Sequence, residues 1–233
     1  MTPKIKIQQA ATLIQNCLVC KQSSRNAICQ YCFDDLILFD INRYQHNLML
    51  SPKVNLGLPQ VDFLQVLALA DYQWPLSQLL TGLKFSKQVP NAHALAALFV
   101  SHCLSSIPES PQLIIPIPLH TNRYLFRKFN QSIELAKQIC KLGQLKMDTS
   151  IISKCKSTPA QTDLSAAQRR KNLRNAFKIN ETAQQKLKNY KHVALFDDVI
   201  TTGSTMNSAY RSLRKHNPSL KIDIWCICLT LTR

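Results

Sequence analysis

Apolar and polar positions change their rhythm along this chain. Up to about residue 60 the apolar residues come singly or in short groups between polar connections, and the stretch 42–59 holds two prolines and a glycine. Beyond Asp62, apolar runs of strand type alternate with longer segments of helical period. The pattern predicts a strand over 63–72, helices over 75–85 and 91–104, a strand over 113–117 and a helix over 131–141. A short strand near Ile151 and Ile152, a strand over 192–197, a helix over 205–215 and a last strand over 222–229 complete it. Such alternation is the signature of an α/β fold with a mostly parallel sheet flanked by helices. The expected organisation is a small module over 1–60 and an α/β domain over 61–233, with no internal repeat. The polar stretch 154–167, which contains Pro159, is expected to be a mobile connection.

Composition narrows the class. With 233 residues, 45% of them hydrophobic and 18% charged, the chain is a folded protein with room for one good core and an appendage. No apolar run approaches the ~18 residues of a membrane span; even the run from Leu95 stops at Ser101 and His102. The amino-terminal stretch is interrupted by Gln8, Gln9, Thr12, Gln15 and Asn16, so no secretion signal is read there and a cytoplasmic location is expected. Nine cysteines, an odd number, then point to reduced thiols and metal binding rather than a disulfide framework.

Charge adds a partner class. The formal net charge is +16. Residues 120–178 carry 13 Lys and Arg against three acids, a net of +10 that is most of the total. A field of that sign suits a phosphate-bearing ligand or nucleic acid, the alternative being a solvated basic surface.

Three constellations carry chemistry. Cys17, Cys20, Cys29 and Cys32 form two Cys-x-x-Cys knuckles, whose four thiolates would make a closed, structural tetrahedral site for Zn²⁺. Coincidence and a redox pair are the alternatives. The other cysteines, Cys103, Cys140, Cys155, Cys226 and Cys228, are scattered, several of them on apolar faces, and read as core residues.

The second constellation follows the apolar run Val193–Phe196. Two adjacent carboxylates, Asp197 and Asp198, lead into Thr201, Thr202, Gly203, Ser204 and Thr205, where a helix is expected to open. Hydroxyls, backbone N–H groups and a helix start would converge on a phosphate there. The carboxylates, repelled by that phosphate, are suited to ribose hydroxyls, so the whole reads as a ribose 5-phosphate pocket. An N-capped helix with exposed acids before it is the plainer alternative.

The third lies after the strand at 113–117. Pro116, Ile117, Pro118 and His120 are followed by Arg123, Arg127, Lys128 and Phe129, interleaved with Tyr124 and Phe126. Cations there could grip phosphates while rings stack on bases, or the rings could anchor the loop in the core.

Taken together, these motifs resemble the ComF (ComFC-like) competence family, in which a four-cysteine zinc module precedes a type I phosphoribosyltransferase domain. The resemblance rests on the four cysteines, on Leu79 to Phe85, on Ile115 to His120, on Arg127 to Gln131, on Gln161 to Phe177 with its basic Arg169, Arg170, Lys171 and Arg174, and above all on Asp197 to Thr205. It implies that Pro116 to His120 form a pyrophosphate loop and that Lys84 stands at the site. One departure is Lys128, where the family has glycine.

The resemblance further implies a role in natural transformation, handling incoming single-stranded DNA. Arg127, Lys128, Phe129, Arg169, Arg170, Lys171 and Arg174 would then contact DNA, and the pocket would hold phosphoribosyl pyrophosphate or a related sugar phosphate. The alternative is a phosphoribosyltransferase of unknown acceptor, with Mg²⁺ accompanying the phosphoribosyl pyrophosphate, Asp197 and Asp198 in the catalytic centre, and Arg123 near the leaving group. A third reading is an adaptor that docks an uptake helicase or channel protein.

Overall fold

The computed structural model describes residues 15–86, 89–105, 107–119, 129–155 and 176–231. Eight strands occur among them: β1 (Gln15–Asn16), β2 (Ser23–Ser24), β3 (Val66–Asp71), β4 (Leu113–Pro116), β5 (Ser153–Lys154), β6 (Phe177–Lys178), β7 (His192–Ile200) and β8 (Lys221–Leu229). Four of these make the central sheet, in the order β3-β8-β7-β4, and each neighbouring pair is parallel. The α/β architecture expected from the alternation is the one observed.

Strands covered on both faces should read as continuous apolar runs rather than as alternation. That is what β3 and β4 do, and β8 does so apart from the buried Asp223, with 66–70, 113–116 and 222–229 all buried. Helix Val89–Phe99 packs on helices Leu76–Ser86 and Gln131–Gly143 and on β3, and helix Gln131–Gly143 packs on β4 and β7. Phe99 supplies the central contact, its ring centroid 6.1 Å from that of Phe196 and 5.7 Å from that of Trp225. Helix Ser204–His216 packs against β7 and β6.

Three elements differ from the pattern-based expectation. β7 does not stop at residue 197 but runs to Ile200, with Asp197 opposite Cys226 and Ile200 opposite Leu229. Backbone pairing with the long β8 carries the ladder through the two carboxylates, which break the apolar pattern without breaking the hydrogen bonds. The short strand lies at 153–154, not at 151–152, and pairs antiparallel with β6 outside the central sheet. Ile151 and Ile152 supply the buried side chains beside it. The expected helix over 91–104 is α-helical over 89–99 and closes in a wider π-type turn over 100–104.

The four parallel strands place their carboxyl ends on one edge, at Asp71, Pro116, Ile200 and Leu229. Open parallel sheets bind ligands at that edge. The segment 58–63 lies beneath it, because Leu58, Val61 and Phe63 all come within contact distance of the Cβ that Gly203 lacks. The amino-terminal Cys17, Val19, Cys32 and Ile41 join the same continuous cluster of buried residues as the sheet.

Candidate functional site

A cavity of about 380 Å³ opens at the carboxyl edge. Its floor is the end of β7, and its walls come from the 117–119 segment, the 201–205 loop, Lys84 and Lys154. Among the residues singled out from sequence, Ile117, Pro118, Asp197, Asp198, Thr201, Thr202, Gly203, Ser204, Thr205 and Lys84 all line it. Pro116 is the buried last residue of β4, directly before the wall.

The two acids reach different partners, as side chains on consecutive strand positions diverge. Asp197 Oδ1 accepts a 2.6 Å hydrogen bond from Ser132 Oγ and a 2.9 Å bond from the Asp198 backbone N–H. Asp198 Oδ2 instead pairs with Lys84 Nζ at 2.6 Å. Burial and the neighbouring Asp198 charge push the Asp197 carboxyl up to about 7. Burial works against the Lys84 ammonium, but the charge and hydrogen bond of Asp198 outweigh it and raise its pKa.

The 201–205 loop owes its shape to Gly203. That residue has φ +71° and is the N-cap of helix Ser204–His216, and its missing Cβ would lie 2.7 Å from Val61 Cγ1. Only glycine tolerates both conditions. Thr202 Oγ1 and Ser204 Oγ are hydrogen-bonded at 2.8 Å, so two hydroxyls share one corner of the rim. Asn207 ties the loop to the segment below it: its N–H donates to Gly203 O at 2.8 Å and its Oδ1 accepts from Asp62 N at 2.8 Å.

On the opposite wall, Asn130 works in two directions. Its Oδ1 caps helix Gln131–Gly143 by accepting from the N–H groups of Ser132 and Ile133, while its Nδ2 donates to Ile117 O at 3.1 Å. A helix cap thereby fixes the 117–119 wall. Ile117 N also donates to Phe196 O at 2.8 Å, which joins that wall to the strand carrying the acids.

Several contributors were not evident in the sequence. Ser132 meets Asp197 across 65 positions, and no local pattern marks such a pair. Tyr72, Gln131, Lys154 and Thr230 also line the cavity. The available signals were weak: Gln131 follows a residue typical of N-caps, and Lys154 lies in the basic segment. Phe129 is half-buried against the core. His120, Arg123, Arg127, Lys128, Arg169, Arg170, Lys171 and Arg174 lie outside the described residues, as does most of the stretch 154–167 expected to be a mobile connection.

The second centre is the cysteine cluster. The sulfurs of Cys17, Cys20, Cys29 and Cys32 lie within 4.8 Å of one another, with Cys20 and Cys29 3.8 Å apart. Tetrahedral Zn–S bonds of about 2.3 Å imply S···S separations of about 3.8 Å, so the donor set fits Zn²⁺ in both chemistry and spacing. Burial opposes ionisation of Cys17, but the backbone groups of Cys29, Cys20 and Val19 outweigh it and bring the thiol down to about 6. Burial and the surrounding thiols push Cys32 up to about 12, a thiol that a metal would have to deprotonate. Among the remaining cysteines, Cys103, Cys226 and Cys228 are buried as expected, whereas Cys155 is exposed at the end of the β5 strand.

Asp197 and Asp198 are the carboxylates that a hard cation such as Mg²⁺ would seek in the cavity. Ser132, the Asp198 N–H and Lys84 already engage three contacts on them. These contacts fall on Asp197 Oδ1 and Asp198 Oδ2.

These features define the class: a parallel α/β protein with an acid-floored, hydroxyl-rimmed cavity at its carboxyl edge, joined to a four-thiol cluster. No protein-family model matches the chain. It is similar to the DNA utilization protein YhgH of Escherichia coli O157:H7, 34% identical over 171 residues that cover 72% of this chain and 73% of that protein. YhgH of Salmonella typhimurium is 34% identical over the same length. Competence protein F of Haemophilus influenzae is 34% identical over 169 residues, 69% of this chain and 71% of the relative. The chain belongs to this family of DNA utilization and competence proteins, the ComF family its motifs resemble. No helix among the described residues is long and apolar enough to cross a membrane.

Proposed function

We propose that this protein handles single-stranded DNA during natural transformation, in line with the DNA utilization and competence roles that its relatives' names give, and that its cavity takes the ribose 5-phosphate part of phosphoribosyl pyrophosphate or a related sugar phosphate. The observation that carries the pocket reading is the meeting of Asp197 and Asp198 with the Thr201–Thr205 loop around one cavity. Hydroxyl oxygens and the N–H groups around Gly203 suit a phosphate monoester, and the carboxylates suit the sugar diol. The +10 segment supports the DNA reading, and the four thiols support a structural Zn²⁺. The test is direct titration: ribose 5-phosphate binding measured calorimetrically, and oligonucleotide retention on filters in a salt series. Expected are saturable sugar-phosphate binding and DNA affinity that falls steeply with salt. No DNA retention at low salt would remove the DNA role.

A second reading, a phosphoribosyltransferase, is favoured by the 117–119 wall, which stands across the cavity from the phosphate loop where a leaving pyrophosphate would exit. Mg²⁺ would then arrive on the pyrophosphate. Pyrophosphate release in the presence of nucleobases, amines or nucleic acid tests it, and silence with all three rejects catalysis while leaving binding intact.

A further inference from the structure

A phosphate monoester approaching two adjacent carboxylates meets repulsion, because like charges a few ångströms apart in a partly dry site interact strongly. Sites of this kind commonly recruit a divalent cation to relieve it. In this cavity a side chain already stands in that position. Lys84, in the last turn of helix Leu76–Ser86, places Nζ 2.6 Å from Asp198 Oδ2, and the two side chains keep only 22% and 13% of their surface exposed. A charge-assisted contact that short and that sheltered is not an ordinary solvated surface pair.

We propose that Lys84 is the resident cation of the cavity, holding the Asp197–Asp198 pair near neutrality so that a pentose phosphate binds without a divalent metal. This rests on the sugar-phosphate reading of the site and says how that site manages its charge. The groups around Lys84 agree with the assignment. Ser132 and the Asp198 N–H saturate Asp197 Oδ1, and burial keeps Asp197 partly protonated near neutral pH, so one full carboxylate charge and part of a second face one ammonium. Tyr72 flanks the pair, and Lys154 is the one other cation lining the cavity among the described residues. A metal bound to Asp198 Oδ2 would have to displace Lys84 and leave its ammonium buried without that partner.

The probe is ribose 5-phosphate, which lacks the pyrophosphate that would chelate Mg²⁺ on its own. Calorimetric titrations of the full chain in EDTA and in excess Mg²⁺ are expected to give the same affinity. Lys84→Gln is expected to lose at least about tenfold in EDTA, equivalent to ~1.4 kcal/mol, and to recover part of it with Mg²⁺. Wild-type binding that strengthens more than about tenfold on adding Mg²⁺, or a Lys84→Gln variant with wild-type affinity in EDTA, overturns the assignment while leaving the pocket reading standing. If the wild type binds in neither buffer, the pocket reading falls and takes this proposal with it. Should Lys84→Gln fail to fold, the wild-type comparison in EDTA and in Mg²⁺ still decides the matter.

Discussion

Gly203 shows how much one position can determine. Its φ of +71° and the 2.7 Å gap between an added Cβ and Val61 Cγ1 are independent constraints, one on backbone and one on packing. Gly203→Ala should destabilise the protein by about 1–3 kcal/mol, seen as a lower urea midpoint at unchanged slope. Adding Val61→Ala relieves the clash but not the backbone strain, so recovery should be partial; complete recovery would mean that φ contributes nothing. Asp197 offers a second test at this scale. Its carboxyl holds a proton up to about 7 in the fold, against an ordinary value of 3.8. Between those values the native state binds more protons than the unfolded chain, so this group lowers stability as pH rises through the window. Asp197→Asn removes that slope. Its thermal midpoint should gain on the wild type from about pH 4 to pH 7 and hold a constant lead above. Midpoints that stay parallel across the range would show Asp197 titrating like a free side chain.

At the level of elements, the sheet was readable because strands covered on both faces must be apolar throughout, and the loop was readable because hydroxyls, a glycine and two acids stand together in the chain. Contacts between distant elements were not. Ser132 with Asp197 and Asn130 with Ile117 arise only once helix Gln131–Gly143 docks beside β7. The same holds for His192 and Asp223, paired at 2.9 Å with 3% and 5% of their side chains exposed at the amino-terminal end of β7 and β8. Asp223→Ala removes the carboxylate that lies 2.9 Å from the buried imidazole and should cost about 1–3 kcal/mol by urea unfolding. Sugar-phosphate affinity should not change, since the cavity lies at the opposite end of those strands; a loss would show that the two ends are coupled. The cysteine knuckles make a further link. Gln78 Nε2 donates to Val19 O at 3.4 Å, which sets the four-cysteine cluster against the helix that carries Lys84. With Zn²⁺ loaded on the four thiols, its removal by a chelator should therefore raise amide exchange in helix Leu76–Ser86 as well as at 17–32, whereas protection retained in that helix would confine the effect of Zn²⁺ to the knuckles.

Across the whole molecule, charge and cavity need not serve the same ligand. If the carboxylates read a sugar diol, a DNA strand offers them neither hydroxyl within the chain, because deoxyribose lacks the 2′-OH and the 3′ oxygen is esterified. A strand is then better gripped outside the cavity. Eight of the thirteen cations of 120–178 fall in 120–128 and 156–175, stretches that contain one acid, Asp163. The described chain enters both stretches from the cavity wall, at Leu119 and just after Lys154. Neutralising Arg169, Arg170 and Lys171 together as Gln should weaken single-stranded DNA binding for every sequence and reduce the slope of log affinity against log salt by about 2, from ~0.7 per lost phosphate contact. Ribose 5-phosphate affinity should stay where it was. Equal losses for both ligands would place these cations in the cavity itself and merge the two sites into one, and an unchanged salt slope would move the DNA contact to another face of the protein.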